Sequence, residues 1–281
     1  MRKRNLTGKS GTIRRIGFVT GFLLVTAVVI APFCWLIFCS LKPRNELFTV
    51  GAMPSALTLA NYVFLFTHTE VGRFLWNSTW VAVVVTSVTV LVSTMGAYSL
   101  IFFRYKGREL MGRLILLTYM FPGVVIIVPC YNVMSFLNLT NNLFGVVLVE
   151  LVLTVPFSVW MLRGFFMEIP RELEEAAIID GCSKVQALWY VLLPLAPPGI
   201  IAVSVFAFIF SWNEYLFPLV LINDESAKTL PLGVAGFMGH LYVEWGPLLA
   251  AAVVSTIPIL ILFSILQRFL IKGIMAGAIN G

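Results

Sequence analysis

The chain has 281 residues, of which 59% are hydrophobic and only 11% are charged. A soluble domain is about 45–50% apolar and about 25% charged, so this composition excludes a soluble globular protein and indicates an integral membrane protein. The net charge of +6 suits a nucleic-acid partner, but the basic residues cluster at the ends of apolar segments, which indicates membrane topology and argues against nucleic acid.

A basic segment, residues 1–15, opens the chain and precedes an apolar block. This block is longer than the roughly 7–15 apolar residues of a cleaved signal, so we predict a retained first span. Apolar blocks of about the 20 residues that cross a bilayer recur along the chain. We predict an all-α integral membrane fold with six transmembrane helices in one domain, residues 16–270, followed by a tail, residues 271–281. The predicted spans are Ile16–Leu41, Asn77–Phe103, Leu114–Leu137, Leu143–Phe166, Ile200–Ile222 and Gly246–Leu270.

The distribution of lysine and arginine sets the orientation of these spans. Segments predicted to face the cytoplasm hold six, four, three and two basic residues, which is 15 of the 19 in the chain. Because cytoplasmic loops carry an excess of basic residues, we expect both termini in the cytoplasm.

The loop between the fourth and fifth spans, residues 167–199, is a charged island between apolar blocks. Pro170 suits the first turn of a helix, and Gly181 is placed to end it as a left-handed residue. Ser183 and Gln186 have the spacing of a capping box that begins a second helix. One face of the first helix is small and nearly flat, and carries Leu173, Ala176, Ala177 and Asp180. We predict a helix–turn–helix bracket on the membrane surface that contacts another protein.

The motifs Glu175-Ala176-Ala177, Asp180-Gly181 and Leu193-Pro194 in this loop resemble the coupling loop of ABC importer permeases. Other stretches resemble the carbohydrate-uptake (maltose-type) branch of that family, in particular its smaller membrane subunit. They are Met120-Phe121-Pro122, Pro156-Phe157, Ser211-Trp212-Asn213-Glu214-Tyr215 and Thr229-Leu230-Pro231-Leu232-Gly233. The chain departs from the pattern at its end, where Asn280 stands in place of a frequent lysine.

The resemblance implies a permease subunit of an ATP-driven sugar importer in the inner membrane of a prokaryote. It implies three partners: a second permease subunit in a heterodimer, a dimeric ATP-binding subunit, and an extracytoplasmic sugar-binding protein. It also implies that this chain is not an enzyme and needs no cofactor, since ATP is bound by the partner. The segment from Glu175 to Gly181, with Leu193-Pro194, would couple the spans to the ATPase.

Four residues of the predicted fifth span are candidates for the substrate pathway: Trp212, Asn213, Glu214 and Tyr215. Aromatic faces suit the C–H surfaces of a sugar, and amide or carboxylate groups suit its hydroxyls. A charged side chain at the bilayer centre costs about 2.5–3.5 kcal/mol on insertion scales, so Glu214 should face a wet cavity or a paired group. Alternatively, Asn213 and Glu214 are polar contacts between helices. Glu150, in the fourth span, is a weaker candidate.

Three alternatives stay open at this point. A permease of the same type could carry glycerol phosphate or glycerophosphodiesters. An ion-coupled secondary transporter would need no ATPase, but such proteins usually contain internal repeats, and none is evident. A membrane enzyme is disfavoured because the sequence contains no nucleophile elbow or paired catalytic carboxylates. The four cysteines lack metal-ligand spacing, so we expect no metal site.

Overall fold

The computed structural model describes residues 8–49, 54–239 and 243–279. These residues form α-helices joined by turns and short irregular helical segments, with an antiparallel bridge between Met238 and Val243. The helices are α1 (Gly8–Ser40), α2 (Ala60–His68), α3 (Val71–Phe102), α4 (Arg108–Tyr119), α5 (Gly123–Phe136), α6 (Leu143–Met167), α7 (Arg171–Ile179), α8 (Lys184–Ala187), α9 (Pro197–Asn213), α10 (Leu216–Leu221), α11 (Leu230–Ala235) and α12 (Trp245–Ile279). The all-α prediction is confirmed. Residues 1–7 of the predicted N-terminal segment, residues 240–242 of the last outer loop, and Asn280 and Gly281 of the tail lie outside the described residues.

Four stretches within these helices are long and apolar enough to cross a membrane: Gly17–Ser40, Val71–Phe102, Leu143–Met167 and Trp245–Gln267. Two further pairs of helices pass the same test together but are bent. The α4–α5 pair bends by 98°, and the pair formed by Lys184–Leu195 and α9 bends by 87°. Counting each bent pair as one span gives up to six spans among the described residues, in agreement with the predicted number.

Prolines lie at both bends. Pro122 precedes α5, and Pro197 and Pro198 open α9, where a missing N–H breaks no helical hydrogen bond. The third predicted span is therefore two helices rather than one. The fifth predicted span differs too, because α9 ends at Asn213 and a separate short helix, α10, follows.

The chain divides into two compact units. The first contains the described residues up to His68 together with those from Phe237 to Val254, and the second contains Thr69–Gly236 and the described residues from Ser255 onward. In the first unit, the buried Asn61 amide donates to the carbonyl oxygens of Ser40 at 2.8 Å and Lys42 at 2.9 Å. These bonds hold the end of α1 against α2.

The second unit is built on α3 and α6, which run side by side in the same direction. The Trp80 and Phe144 ring centroids are 5.0 Å apart, and the Thr89 and Thr154 hydroxyls are 2.8 Å apart. Parallel helices cross a membrane in the same sense, as the predicted second and fourth spans require. Near the far end of this pair, a buried apolar cluster joins α3 and α6 to the loop before α9; it includes Tyr98, Phe102, Leu162, Phe166, Leu188 and Leu192.

Candidate functional site

We call residues 167–199 the coupling segment. Its first helix, α7, follows Pro170 and ends in a left-handed turn, in which Gly181 has a φ of 93°. The amide of Cys182 then donates to the carbonyl of Ala177 at 3.0 Å. A capping box of Ser183 and Gln186 opens α8, with both reciprocal hydrogen bonds present. The turn and cap that the sequence predicts are therefore formed.

The second half of the coupling segment is more irregular than a single helix. After α8, the chain passes through a π-helical turn, Leu188–Leu192, and a 3-10 turn, Leu193–Leu195. Proline at position 194 has no N–H to continue an α-helix, and the tighter turn accommodates it. The segment is thus a compact bracket with a fixed bend before α9.

The structure places most predicted coupling residues on the surface. Glu175, Ala176, Asp180, Gly181 and Pro194 are exposed, and Leu193 is half-buried. Ala177 is different, because it is only 6% exposed and packs inward. The predicted flat face of α7 is therefore partly internal.

The exposed surface of the coupling segment also carries large apolar side chains that are not among the predicted coupling residues. Ile179 is 85% exposed, Tyr190 is 75% exposed and Val185 is 61% exposed. Large apolar side chains exposed on a charged surface segment are typical of a protein–protein contact. Their signal in the sequence is weak, since isolated exposed apolar residues are common.

Buried polar contacts anchor the coupling segment to the end of α3. The Tyr98 hydroxyl donates to Glu174 Oε1 at 2.5 Å and lies 3.1 Å from the carbonyl oxygen of Lys184. The Arg171 guanidinium donates to the carbonyl of Ile101 at 2.6 Å. The bracket is therefore attached to a membrane-spanning helix at both of its helices.

The four candidate substrate residues do not share one surface. Trp212 is 2% exposed, and its indole N–H donates to the carbonyl of Ser255 at 3.0 Å. Asn213 is exposed and donates to the carbonyl of Ile209 within its own helix, at 2.8 Å. Tyr215 is half-buried.

Glu214 ends α9 and caps α10. Its Oε1 accepts hydrogen bonds from the amides of Leu216 at 2.8 Å and Phe217 at 3.2 Å. A carboxylate is favoured at a helix N-terminus, because the first amides have no partner within the helix and carry partial positive charge. This side chain therefore explains why the fifth predicted span is interrupted where it is.

Glu150 lies deep in the second unit. It is 1% exposed, and neither of its carboxyl oxygens has a hydrogen-bond partner among the described residues. The Ser211 hydroxyl and the Glu214 carboxyl lie near it. The side chain is thus enclosed by its own subunit.

Residues 90–275 match the family described as "Binding-protein-dependent transport system inner membrane component". The chain is 38% identical over 252 residues to the sulfoquinovosyl glycerol transport system permease protein of Agrobacterium fabrum, covering 89% of this chain and 88% of that protein. It is 32% identical to the trehalose/maltose transport system permease protein of Thermococcus litoralis, covering 96% and 98% of the two chains. It is 33% identical to the arabinooligosaccharides transport system permease protein of Halalkalibacterium halodurans, covering 93% and 95%.

Solved structures share the fold. A chain in the crystal structure of a bacterial ABC transporter involved in the import of the acidic polysaccharide alginate matches with a TM-score of 0.78 and 23% identity. The match covers 96% of this chain and 99% of that one. The bent helix pairs therefore belong to a fold that is known from experiment.

Proposed function

The chain belongs to the family of binding-protein-dependent transport system inner membrane components, and we propose that it helps to import a sugar or sugar conjugate, driven by ATP hydrolysis on a partner subunit. Membership of this family makes the chain a multi-pass permease of the inner membrane and not an enzyme. It also sets aside the ion-coupled transporter and the membrane enzyme that the sequence alone left open.

The substrate class is proposed from several relatives. Their names specify sulfoquinovosyl glycerol, trehalose and maltose, and arabinooligosaccharides, all of which contain a sugar. Each of these relatives aligns over most of both chains, so the comparison includes the predicted spans. A sugar or sugar conjugate is therefore the substrate class that these relatives favour.

The exposed face of the coupling segment supports a contact with a separate ATPase subunit. Glu175, Asp180 and Gly181 are exposed beside Ile179, while Glu174 ties the same helix to α3 through Tyr98. A partner that pushes on α7 would move α3, because the two helices share a buried hydrogen bond. This combination of an exposed face and a buried anchor is the observation that carries the proposal.

The remaining parts of the transporter follow from this assignment. A second permease subunit would complete the pathway, and an extracytoplasmic binding protein would deliver the sugar. The coupling segment and both termini would then face the cytoplasm. The pathway would be lined by Asn213, Glu214 and Tyr215. Trp212 would pack behind these residues without contacting the sugar, because its indole is buried.

Site-specific photo-crosslinking tests the proposed ATPase contact. A benzoylphenylalanine residue at Ile179 is expected to crosslink the ATP-binding subunit in native membranes, because this side chain is 85% exposed on the coupling segment. Phe136 is a matched control, since it is also 85% exposed but lies at the end of α5. Equal crosslinking at the two positions, or none at Ile179, would contradict the proposal.

ATP-dependent uptake of radiolabelled sugars tests the proposed substrate class. The full transporter, reconstituted in proteoliposomes with its binding protein, is expected to accumulate a sugar only when ATP is supplied on the side of the coupling segment. Uptake that requires an ion gradient but no ATP would refute the proposed energy source.

A further inference from the structure

A cationic cavity lies beside the coupling segment, within the second unit. It has a volume of about 300 Å³ and is formed where α3 and α6 end and α4 and α7 begin. We call it the arginine pocket. Its walls include Arg108, Arg163, Arg171, Leu100, Met167 and Ile169.

The three arginines of this pocket are half-buried and come from three different parts of the chain. None of them forms an ion pair with another described residue, because the described ion pairs involve Arg73, Arg113 and Lys228 only. Like charges that share a partly desolvated cavity repel one another, and an anion in the cavity would relieve this repulsion. The three guanidinium groups therefore have no counterion within ion-pair distance among the described residues.

Backbone carbonyls orient two of the arginines without neutralising them. Arg171 donates to the carbonyl of Ile101 at 2.6 Å, and Arg108 donates to the carbonyl of Phe103 at 3.1 Å. Arg163 has no hydrogen-bond or ion-pair partner among the described residues, although it is half-buried. Its guanidinium is thus free to bind a ligand.

The carboxylate that lines the pocket does not neutralise it. Glu109 is exposed, and its nearest basic group is Arg113, which lies 3.9 Å away along the same helix and outside the pocket. The Glu174 carboxylate accepts the Tyr98 hydroxyl instead. Both α4 and α7 begin at arginines of the pocket, so the positive ends of two helices add to its potential.

A second cavity, of about 520 Å³, shares Arg108 and Arg171 with the pocket and adds Arg104 and Lys106. Positive charge therefore extends from the arginine pocket along the loop between α3 and α4. A ligand with more than one anionic or polar group would find partners in both cavities.

One wall of the arginine pocket is apolar and exposed. Met167 is 64% exposed and Leu110, beside the pocket on α4, is 61% exposed. The pocket lies at the ends of two apolar spans, where the polar headgroups of a bilayer meet its hydrocarbon. A free phosphate ion would need the arginines alone, whereas an amphiphile would also use the apolar wall.

We propose that the arginine pocket binds the phosphate headgroup of an anionic phospholipid. The unpaired Arg163 guanidinium would donate to the phosphate, and an acyl chain would lie along Met167. Clusters of basic residues at the membrane boundary attract anionic lipids in this way. The lipid would lie next to the coupling segment, where it would stabilise the connection between α6 and α7. This site is separate from the sugar pathway and does not depend on the identity of the substrate.

Native mass spectrometry of the purified full chain tests the proposal. After delipidation, the chain is titrated with phosphatidylglycerol or phosphatidylcholine of the same acyl composition. We expect at least a fivefold preference for phosphatidylglycerol. Arg163→Gln should lower this preference severalfold, because it removes one of the three pocket charges but none of the hydrogen bonds to the carbonyls of Ile101 and Phe103.

Arg73→Gln is the matched control, because it removes one exposed positive charge at the opposite end of α3 from the pocket; its preference should stay unchanged. Circular dichroism and size-exclusion profiles must match the wild type for both variants. The proposal is overturned by equal binding of the two lipids, by an unchanged preference in Arg163→Gln, or by displacement of the lipid by millimolar inorganic phosphate. Loss of the bound lipid on assembly with the ATPase would also overturn it, since an acidic partner side chain would then fill the pocket.

Discussion

The Tyr98 hydroxyl donates to Glu174 Oε1 at 2.5 Å, which joins the end of a membrane-spanning helix to the first helix of the coupling segment. Tyr98 belongs to a buried apolar cluster at the end of α3, and Glu174 is only 7% exposed. A carboxylate that is removed from water needs a partner, and here the partner is on the span. The contact therefore couples the position of α7 to that of α3.

Loss of this hydroxyl should weaken coupling without unfolding the protein. Tyr98→Phe keeps the ring packed against Phe102, 5.3 Å away between centroids, but leaves Glu174 buried without its bond. We expect a stability loss of about 1–3 kcal/mol and a several-fold fall in sugar uptake per ATP hydrolysed. Parallel assays of uptake and ATPase activity in proteoliposomes measure this ratio.

The control for that experiment is Tyr119→Phe, because Tyr119 is 39% exposed and lies at the end of α4, outside the coupling segment. Its ratio of uptake to ATP hydrolysis should equal that of the wild type. An unchanged ratio in Tyr98→Phe would mean that the contact is structural only.

Gly181→Val should abolish uptake while membrane insertion stays intact. The φ of Gly181 is 93°, and no atom lies within 4 Å of a Cβ added there, so the cost is backbone strain and not a clash. A β-branched residue avoids this conformation, and the turn between α7 and α8 would have to change. Gly181→Asn is the informative comparison, since asparagine tolerates left-handed backbone and should retain part of the uptake. Membrane fractionation and uptake assays check both; if valine and asparagine behave alike, the backbone explanation is wrong.

Glu175→Lys should also abolish uptake, for a different reason. Glu175 is exposed on α7 and has no bond to a described residue, so a lysine there leaves the fold unchanged but reverses the charge of the proposed ATPase contact. We expect the purified variant to insert normally and to lose its ATPase subunit at moderate ionic strength. Co-purification at two salt concentrations measures this, with Glu168→Lys, an exposed residue before α7, as the control. Full retention of the ATPase would show that Glu175 does not take part in the contact.

Local rules predicted the coupling segment well. The left-handed Gly181 and the capping box of Ser183 and Gln186 depend on residues within a few positions of one another, and both are present in the structure. The anchor between Tyr98 and Glu174 could not be predicted in this way, because 76 positions separate the two residues and only tertiary packing brings them together.

The bent spans show the same division between local and tertiary information. Proline marks both bends in the sequence, but a bend of 98° or 87° depends on how the neighbouring helices pack. The break after Asn213 has a weaker signal still, since the sequence there, Ser211-Trp212-Asn213-Glu214-Tyr215, contains neither proline nor glycine. It depends on the Glu214 carboxylate capping α10, a contact that hydropathy does not report.

Substitutions in the candidate sugar pathway should separate structural from substrate roles. Asn213→Ala should change stability by less than about 0.5 kcal/mol, because the side chain is exposed and bonds only its own helix, but it should raise the KM for uptake. Trp212→Phe should lower stability by about 1–2 kcal/mol, since it loses the bond to Ser255 and some buried volume. Thermal melts in detergent and concentration-dependent uptake measure the two effects.

Glu214→Gln completes that comparison. An amide oxygen is still able to accept from the Leu216 and Phe217 amides, so the cap on α10 should survive while the charge is lost. A raised KM with normal stability would support a role in the pathway. Normal uptake in both Asn213→Ala and Glu214→Gln would show that these residues are structural.

Glu150→Gln should leave both stability and uptake close to those of the wild type. The Glu150 side chain is 1% exposed, and neither carboxyl oxygen bonds to a described residue, so no charge-assisted contact is lost when the amide replaces it. Glu150→Lys should fail to accumulate in the membrane, because an unpaired ammonium in this enclosed site costs several kcal/mol and has no route to water. Melting temperature in detergent, membrane abundance and uptake are the measurements, and Glu172→Gln, an exposed residue of α7, is the control. A large loss of uptake in Glu150→Gln at normal stability would mean that the ionised carboxylate itself acts in transport, and the side chain would then belong to the substrate pathway.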